Sequence, residues 1–129
     1  PPTDFFDWDG QEVLPGAEGR LGQTMSRMVS SSGLDGLSED DITERVKQIS
    51  PARLVTKDAP PFLLIHGDAD PLVPLQQSQT MLAALKEAGV PSELIVKSGG
   101  GHPWLTIHEE VKVMADWFDS QLTKTAAGQ

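Results

Sequence analysis

The chain has 129 residues, of which 38% are hydrophobic and 22% charged, a composition typical of one globular core and not of a disordered or fibrous protein. Lys and Arg total 10 against 19 Asp and Glu, and the net charge of −9 disfavours nucleic acid and anionic membranes as partners. Cysteine is absent from the sequence, which excludes disulfides and thiolate metal sites. Cysteine usage therefore does not indicate the cellular compartment.

The first third of the chain predicts two helices. Apolar residues recur at helical spacing near residues 18–30, and a Ser/Gly loop follows over 30–36. Ser38 is a favourable N-cap for a second helix over 39–49, with acidic residues in its first turn and Leu37 and Ile42 placed as a hydrophobic staple. We expect residues 10–50 to form part of a cap or to flank a sheet.

The second half begins with a strand, a helix and another strand. A short apolar run from Phe62 to Ile65 ends at His66-Gly67, a pattern typical of a strand that is buried on both faces. A helix over 76–88 and a strand over 92–97 follow. A strand–helix–strand unit of this length implies two parallel strands joined by a crossover helix.

A last helix is predicted near the end of the chain. Thr106 and Glu109 have the spacing of a capping box at its start, and the apolar pattern ends near Leu122. The tail over 123–129 is expected to be frayed or disordered.

The predicted sheet is incomplete. Parallel sheets are covered on both faces and contain further strands, so two parallel strands alone do not make a stable sheet. The strand near 62–66 would have an open edge, along which another chain segment or a second copy of this chain is expected to pair. The fold class is therefore α/β, with these elements as part of a larger sheet.

Chemistry-bearing residues follow both strands. Asp68 and Asp70 lie in the loop after the first strand, and Gly99-Gly100-Gly101-His102 follows the second. Because the carboxyl ends of parallel strands meet at one edge of a sheet, an Asp and a His from these loops are expected to come within hydrogen-bond reach. The carboxylate would orient the imidazole, whose other nitrogen would act as a general base.

These loops resemble those of the α/β-hydrolase superfamily, in the branch of bacterial carboxylesterases, feruloyl-esterase-like enzymes and prolyl-oligopeptidase-type peptidases. The match runs from Pro60 to Pro74, continues in the helix at Gln77-Ser78 and Leu85–Gly89, and ends at Gly101-His102. In the family pattern the acid lies three residues after the glycine of the His-Gly pair, and the base follows the glycines.

The resemblance implies a partial α/β-hydrolase fold, with its last parallel strands and flanking helices, and assigns Asp70 as the acid and His102 as the base of a Ser-Asp-His triad. Residues 1–129 are then the C-terminal portion of one domain, in which 60–122 form the core that bears the acid and the histidine. Neither a cofactor nor a metal is implied. The expected substrate is a small carboxylic ester or, as the second choice, a peptide.

The nucleophile of such a triad is missing from the sequence. Gly-x-Ser-x-Gly, the motif that carries it in this superfamily, does not occur here, and in the family order the serine precedes the acid. The serine is therefore expected upstream of Pro1, and the chain alone is expected to be inactive. The alternative is a non-catalytic fragment or interaction domain that self-associates through its open strand edge.

Other residues compete for the same roles. Asp68 is the rival acid, and His108 is a histidine near the same edge that we interpret as a surface residue. His66 ends a buried strand and is interpreted as a core histidine bonded to backbone. Trp104, two residues after the proposed base, is the best candidate for a substrate-binding side chain.

Overall fold

A computed structural model describes residues 2–10 and 19–127 of the chain. Their helices and strands follow in the order α1 (Gly19–Val29), α2 (Glu39–Gln48), β1 (Phe62–Gly67), α3 (Leu75–Glu87), β2 (Ser92–Lys97) and α4 (Glu110–Ala127). Single turns of 3₁₀ helix precede β1 at Pro51–Arg53 and α4 at Ile107–Glu109. The order predicted from the sequence is confirmed.

The sheet is parallel and places both functional loops at one edge. β1 and β2 pair in register from Phe62 with Ser92 to Gly67 with Lys97, and α3 connects them. The loops after Gly67 and Lys97 therefore start side by side. Within the described residues, the second edge of β1 has no strand paired with it.

Two hydrophobic clusters hold this arrangement together. The first packs α3 against the sheet around the fully buried Leu85, a side chain whose burial contributes about 1.5–3 kcal/mol. The second joins the N-terminal segment to α1 and α2, and within it the rings of Phe5 and Trp8 stack with centroids 5.9 Å apart. Val73, from the loop after β1, belongs to this second cluster, so the N-terminal segment, α1 and α2 support that loop.

The N-terminal segment is also attached to α3 through Gln77, a fully buried side chain. Its Oε1 accepts the backbone N–H groups of Thr3 and Asp4 at 2.7 and 2.8 Å. Its Nε2 donates to the backbone carbonyls of Asp4 at 3.0 Å and Asp7 at 2.6 Å. One amide therefore satisfies four backbone groups, which would otherwise be costly to bury.

The start of α2 is capped as expected. The hydroxyl of Ser38 accepts the Asp41 N–H at 3.1 Å, and the Asp41 carboxylate accepts the Ser38 N–H at 3.0 Å, which completes a capping box. The Ser38 hydroxyl also donates to the Asp41 carboxylate at 2.6 Å, and this bond, together with the one from the Ser38 N–H, holds the pKa of Asp41 below its ordinary value. Leu37 and Ile42 both pack against the second cluster.

The predicted bounds of the last helix are wrong at both ends. The side chain of Thr106 makes no capping hydrogen bond, and a 3₁₀ turn intervenes before α4 begins at Glu110. Glu110 is buried and its carboxylate lies 2.6 Å from Nζ of Lys97, so an ion pair with the end of β2 anchors the helix start. The helix then continues past Leu122 to Ala127, so the expectation of a frayed tail is wrong for residues 123–127. The remaining two residues of that tail, 128–129, lie outside the described part of the chain.

Candidate active site

Asp70 is held in place by its own turn. Its Oδ1 accepts the backbone N–H groups of Leu72 at 2.8 Å and Val73 at 2.9 Å. Such an Asx turn is a common local use of aspartate. Here it occupies only one carboxylate oxygen, and the side chain is 3% exposed. Oδ2 therefore remains for a partner outside the turn.

That partner is His102. Its Nδ1 lies 2.6 Å from Oδ2 of Asp70, although the residues are 32 positions apart. The His102 side chain is 44% exposed, and within the described residues its Nε2 has no hydrogen-bond partner. An imidazole that donates Nδ1–H to a carboxylate presents the lone pair of Nε2 to whatever approaches, which is the geometry of a general base.

Several effects act on the Asp70 carboxyl. Burial raises its pKa, but hydrogen bonds from the N–H groups of Val73 and Leu72 and from His102, together with the charge of His102, outweigh burial and hold the pKa below its ordinary value. The group is therefore a carboxylate at neutral pH. A carboxylate only accepts hydrogen bonds, which requires the proton on Nδ1 of His102.

The two loops meet because glycines allow a very close backbone approach. A Cβ atom on Gly67 would lie 2.1 Å from the carbonyl oxygen of Gly100, a distance that side-chain-bearing residues do not tolerate. The contact is closed by a hydrogen bond from the Ala69 N–H to the Gly100 carbonyl at 3.0 Å. Gly99 adopts a φ of +69°, which favours glycine.

Asp68, the rival acid, is used elsewhere. Its Oδ1 accepts the Gly99 N–H at 2.6 Å, so this carboxylate connects the two loops. Among the described residues, the hydrogen-bond partner of the His102 ring is Asp70 and not Asp68. His108 lies in the 3₁₀ turn before α4 and is exposed, as expected for a surface residue. Of the predicted candidates, the structure brings together Asp70 and His102.

His66 is buried and bonded to backbone, as predicted, but it also has contacts that sequence reasoning missed. Its Nε2 lies 3.0 Å from the Val73 carbonyl and 3.3 Å from Oδ2 of Asp70, and its Nδ1 lies 2.6 Å from Oγ of Ser78. The sequence did contain a sign of a buried polar partner for His66. Gln77 and Ser78 are polar residues one turn before the apolar Met81, on the buried side of α3.

Trp104 lies beside the Asp70–His102 pair. Both residues and Trp104 line a cavity of about 180 Å³, together with His66 and Ile107. The Nε1 atom of Trp104 is buried and has no hydrogen-bond partner within the described residues. In that same part of the chain, no three His, Asp or Glu side chains are grouped in a way that could hold a metal ion, and no helix is both long and apolar enough to cross a membrane.

The parallel strands, the crossover helix and the Asp and His loops at one sheet edge define a partial α/β-hydrolase fold, and solved structures support this class. A truncated form of a carbohydrate esterase from gut microbiota is 42% identical, with a TM-score of 0.57 over 61% of this chain and 28% of that one. A thermophilic esterase from Thermogutta terrifontis, 22% identical, shares the fold with a TM-score of 0.54 over 67% of this chain and 37% of that one.

The sequence profile of the prolyl oligopeptidase family matches residues 24–125, and the chain belongs to that family. Esterase LipQ of Mycobacterium tuberculosis is 49% identical over 43 residues, which are 33% of this chain and 10% of LipQ. The uncharacterized peptidase YuxL of Bacillus subtilis is 29% identical over 87 residues, 62% of this chain and 13% of YuxL. The chain thus spans a small fraction of these relatives, and the superfamily resemblance is confirmed.

Proposed function

We propose that this chain supplies the acid, Asp70, and the base, His102, of a Ser-Asp-His triad that hydrolyses carboxylic esters. The nucleophilic serine is proposed to lie upstream of residue 1. The observation that carries the proposal is the 2.6 Å contact between Nδ1 of His102 and Oδ2 of Asp70, with Nε2 of the same ring available to a substrate-side partner.

In the first half of the reaction, Nε2 of His102 takes the serine proton while the serine oxygen attacks the ester carbonyl. The same nitrogen then gives that proton to the leaving alcohol, and an acyl-enzyme remains. In the second half, Nε2 takes a proton from water, which attacks the acyl group, and returns it to the serine as the acid leaves. Asp70 orients the ring and stabilises the imidazolium at each step.

The proposal of an ester substrate is supported by the names of similar proteins. LipQ and the gut carbohydrate esterase are both esterases, at 49% and 42% identity over the matched regions. YuxL is named a peptidase and matches a longer stretch, 87 residues, so peptide bonds are the second candidate substrate. Both reactions use the same acid and base.

Trp104 is proposed to contact the substrate, because it lines the cavity beside His102 and its indole N–H is unpaired in the described part of the chain. Replacing Trp104 with Phe keeps an aromatic ring and removes that N–H. In a chain that includes the upstream residues, we expect Trp104→Phe to raise KM for a short-chain aryl ester and to change kcat little, because the substrate loses the contact with the N–H. An unchanged KM would rule out this contact.

The surface beside β1 supports the proposal that more protein covers it. An open apolar groove of about 450 Å³ is lined by Pro61, by β1 from Phe62 to Ile65, and by the α4 residues Met114, Trp117 and Phe118. Apolar grooves of this kind are normally covered. We propose that an upstream segment occupies it. A second copy of the chain along the same edge is the alternative, and would make this a non-catalytic, self-associating module.

A fluorophosphonate probe, which modifies activated serines, separates these possibilities. It is applied to residues 1–129 and to the same chain with the residues encoded immediately upstream (the extended chain), each with and without His102→Ala. We expect labelling of the extended chain only, and its loss in the variant. Labelling of residues 1–129 alone, or a folded extended chain that does not label, would contradict the proposal.

Light scattering tests the second candidate independently. A self-associating module gives a concentration-dependent dimer of residues 1–129 that persists when His102 is replaced. The proposed hydrolase predicts instead that the extended chain is a monomer, because its own upstream segment covers the surface beside β1. A β1-dependent dimer of the extended chain would favour self-association.

A further inference from the structure

We propose that His66, supported by Ser78, is a positioning residue that holds the Asp70 carboxylate in the orientation needed to contact His102. This inference rests on the proposed function of Asp70 and His102. His66 is 3% exposed and Ser78 is fully buried, so neither contact competes with bulk water.

The partners of His66 determine its tautomer. Nε2 lies 3.0 Å from the Val73 carbonyl, which can only accept, so Nε2 carries a hydrogen. In the neutral ring Nδ1 then has a lone pair, and the Ser78 hydroxyl 2.6 Å away donates to it. The ring is thereby fixed from both sides, with its Nε2–H end directed at the loop after β1.

The same Nε2–H end also faces the acid. Oδ2 of Asp70 lies 3.3 Å from Nε2 of His66 and 2.6 Å from Nδ1 of His102. This oxygen therefore lies between two imidazoles. One is exposed and faces the substrate side, while the other is buried and is attached to α3 through Ser78.

Val73 makes the arrangement rigid. Its N–H donates to Oδ1 of Asp70 at 2.9 Å, and its carbonyl accepts from His66. Asp70 is thus held by its turn through Oδ1, and the turn is held by His66. Loss of the Nε2–H donor would leave the Val73 carbonyl without this partner and loosen the turn that holds Oδ1, and the carboxylate would lose its alignment with His102.

A pair of substitutions at His66 separates positioning from packing. His66→Gln places an amide N–H near the former Nε2, whereas His66→Asn has a shorter side chain that reaches only to the former Nδ1. In the extended chain, we expect kcat for a short-chain aryl ester to fall about 10- to 100-fold in His66→Asn with KM within about twofold, and to be largely rescued in His66→Gln.

Ser78→Ala is the second variant, in case His66→Asn does not fold. It removes one hydroxyl, and we expect a smaller fall in kcat in the same direction. Thr80→Ala is its matched control, because Thr80 is on the same helix and, among the described residues, its hydroxyl contacts neither His66 nor Asp70 but accepts from Nε2 of Gln76 at 3.2 Å. That control is expected to keep the wild-type kcat.

A proton NMR signature keeps the inference distinct from the proposed function. The Nδ1–H of His102, bonded to Asp70, should give a strongly downfield signal that His66→Asn weakens and His66→Gln retains. If the wild type does not hydrolyse esters but this signal responds as stated, the proposed function fails and positioning by His66 stands. A folded His66→Asn variant with unchanged kcat and signal, or a His66 ring protonated on Nδ1 alone, would overturn the inference.

Discussion

The carboxylate of Asp70 divides its two oxygens between a turn and His102. Oδ1 accepts the N–H groups of Leu72 and Val73, while Oδ2 lies 2.6 Å from Nδ1 of His102. The turn fixes the carboxylate locally, and the second oxygen is left to orient a ring from a distant loop. This division makes the consequences of an isosteric change predictable.

Asp70→Asn should leave the fold intact and disable catalysis. The amide oxygen can replace Oδ1 in the turn, which directs the NH₂ group at Nδ1 of His102. That nitrogen must then accept, so the ring proton moves to Nε2 and the base is lost. We expect kcat of the extended chain to fall on the order of 10⁴-fold, measured with a short-chain aryl ester.

Asp68→Asn is the matched control for that change. Asp68 uses Oδ1 to accept the Gly99 N–H at 2.6 Å, and an amide oxygen can do the same. We expect kcat to stay close to wild type. A large loss in Asp68→Asn with little loss in Asp70→Asn would reverse the assignment of the acid.

The close approach of the two loops predicts a strong difference between neighbouring glycines. Gly67→Ala would place a Cβ 2.1 Å from the Gly100 carbonyl oxygen, whereas a Cβ on Gly101 would meet its nearest atom at 3.8 Å, an ordinary contact. We expect Gly67→Ala to lower the free energy of unfolding by about 2–3 kcal/mol and Gly101→Ala by less than about 0.5 kcal/mol.

Urea unfolding of both glycine variants checks this prediction. If Gly67→Ala unfolds at the wild-type urea concentration, the backbone contact between the loops is not as described.

The buried Gln77 amide predicts a stability loss that is unrelated to catalysis. Gln77→Leu would remove the partners of the Thr3 and Asp4 N–H groups and of two backbone carbonyls. We expect the free energy of unfolding to fall by about 2–4 kcal/mol, measured by chemical denaturation. Gln79→Leu, at an exposed position of the same helix, should change it little. Equal effects of the two substitutions would contradict the anchoring role of Gln77.

The lowered pKa of Asp70 predicts how its contribution to stability depends on pH. The folded state binds this proton less readily than the unfolded state. The contribution is therefore fully present above the ordinary Asp pKa of about 3.9 and is lost as pH falls through the lower folded value. Denaturation measured from pH 7 to pH 2 should show a smaller acid-induced loss in Asp70→Asn than in the wild type. Identical pH profiles would show that Asp70 does not contribute.

Much of the fold follows from local patterns in the sequence. The apolar run before His66, the helix closed by Gly89 and the Ser38 cap are read from neighbouring residues, and each element was found where predicted. The start of α4 was not predicted correctly. It lies at Glu110, which pairs with Lys97 on a different element, and a contact of this kind is not visible in local sequence. Capping by Thr106 was plausible from spacing alone and is absent.

The candidate site divides in the same way. Parallel strands bring consecutive loops together, so contact between an Asp and a His could be anticipated, and the family pattern selected Asp70 over Asp68. The buried surroundings of Asp70 could not be anticipated. The placement of His66 against Ser78 and Val73 depends on how α3 packs on the sheet. Polar residues on the buried side of α3 were the only local sign.

The most direct test of the central claim is the turnover of a short-chain aryl ester by the extended chain with His102→Gln, compared with wild type at matched folded concentration. Glutamine fills similar space and cannot accept a proton from serine. We predict a fall in kcat on the order of 10⁴-fold with the fold preserved. Wild-type turnover by the folded variant would show that His102 is not the base.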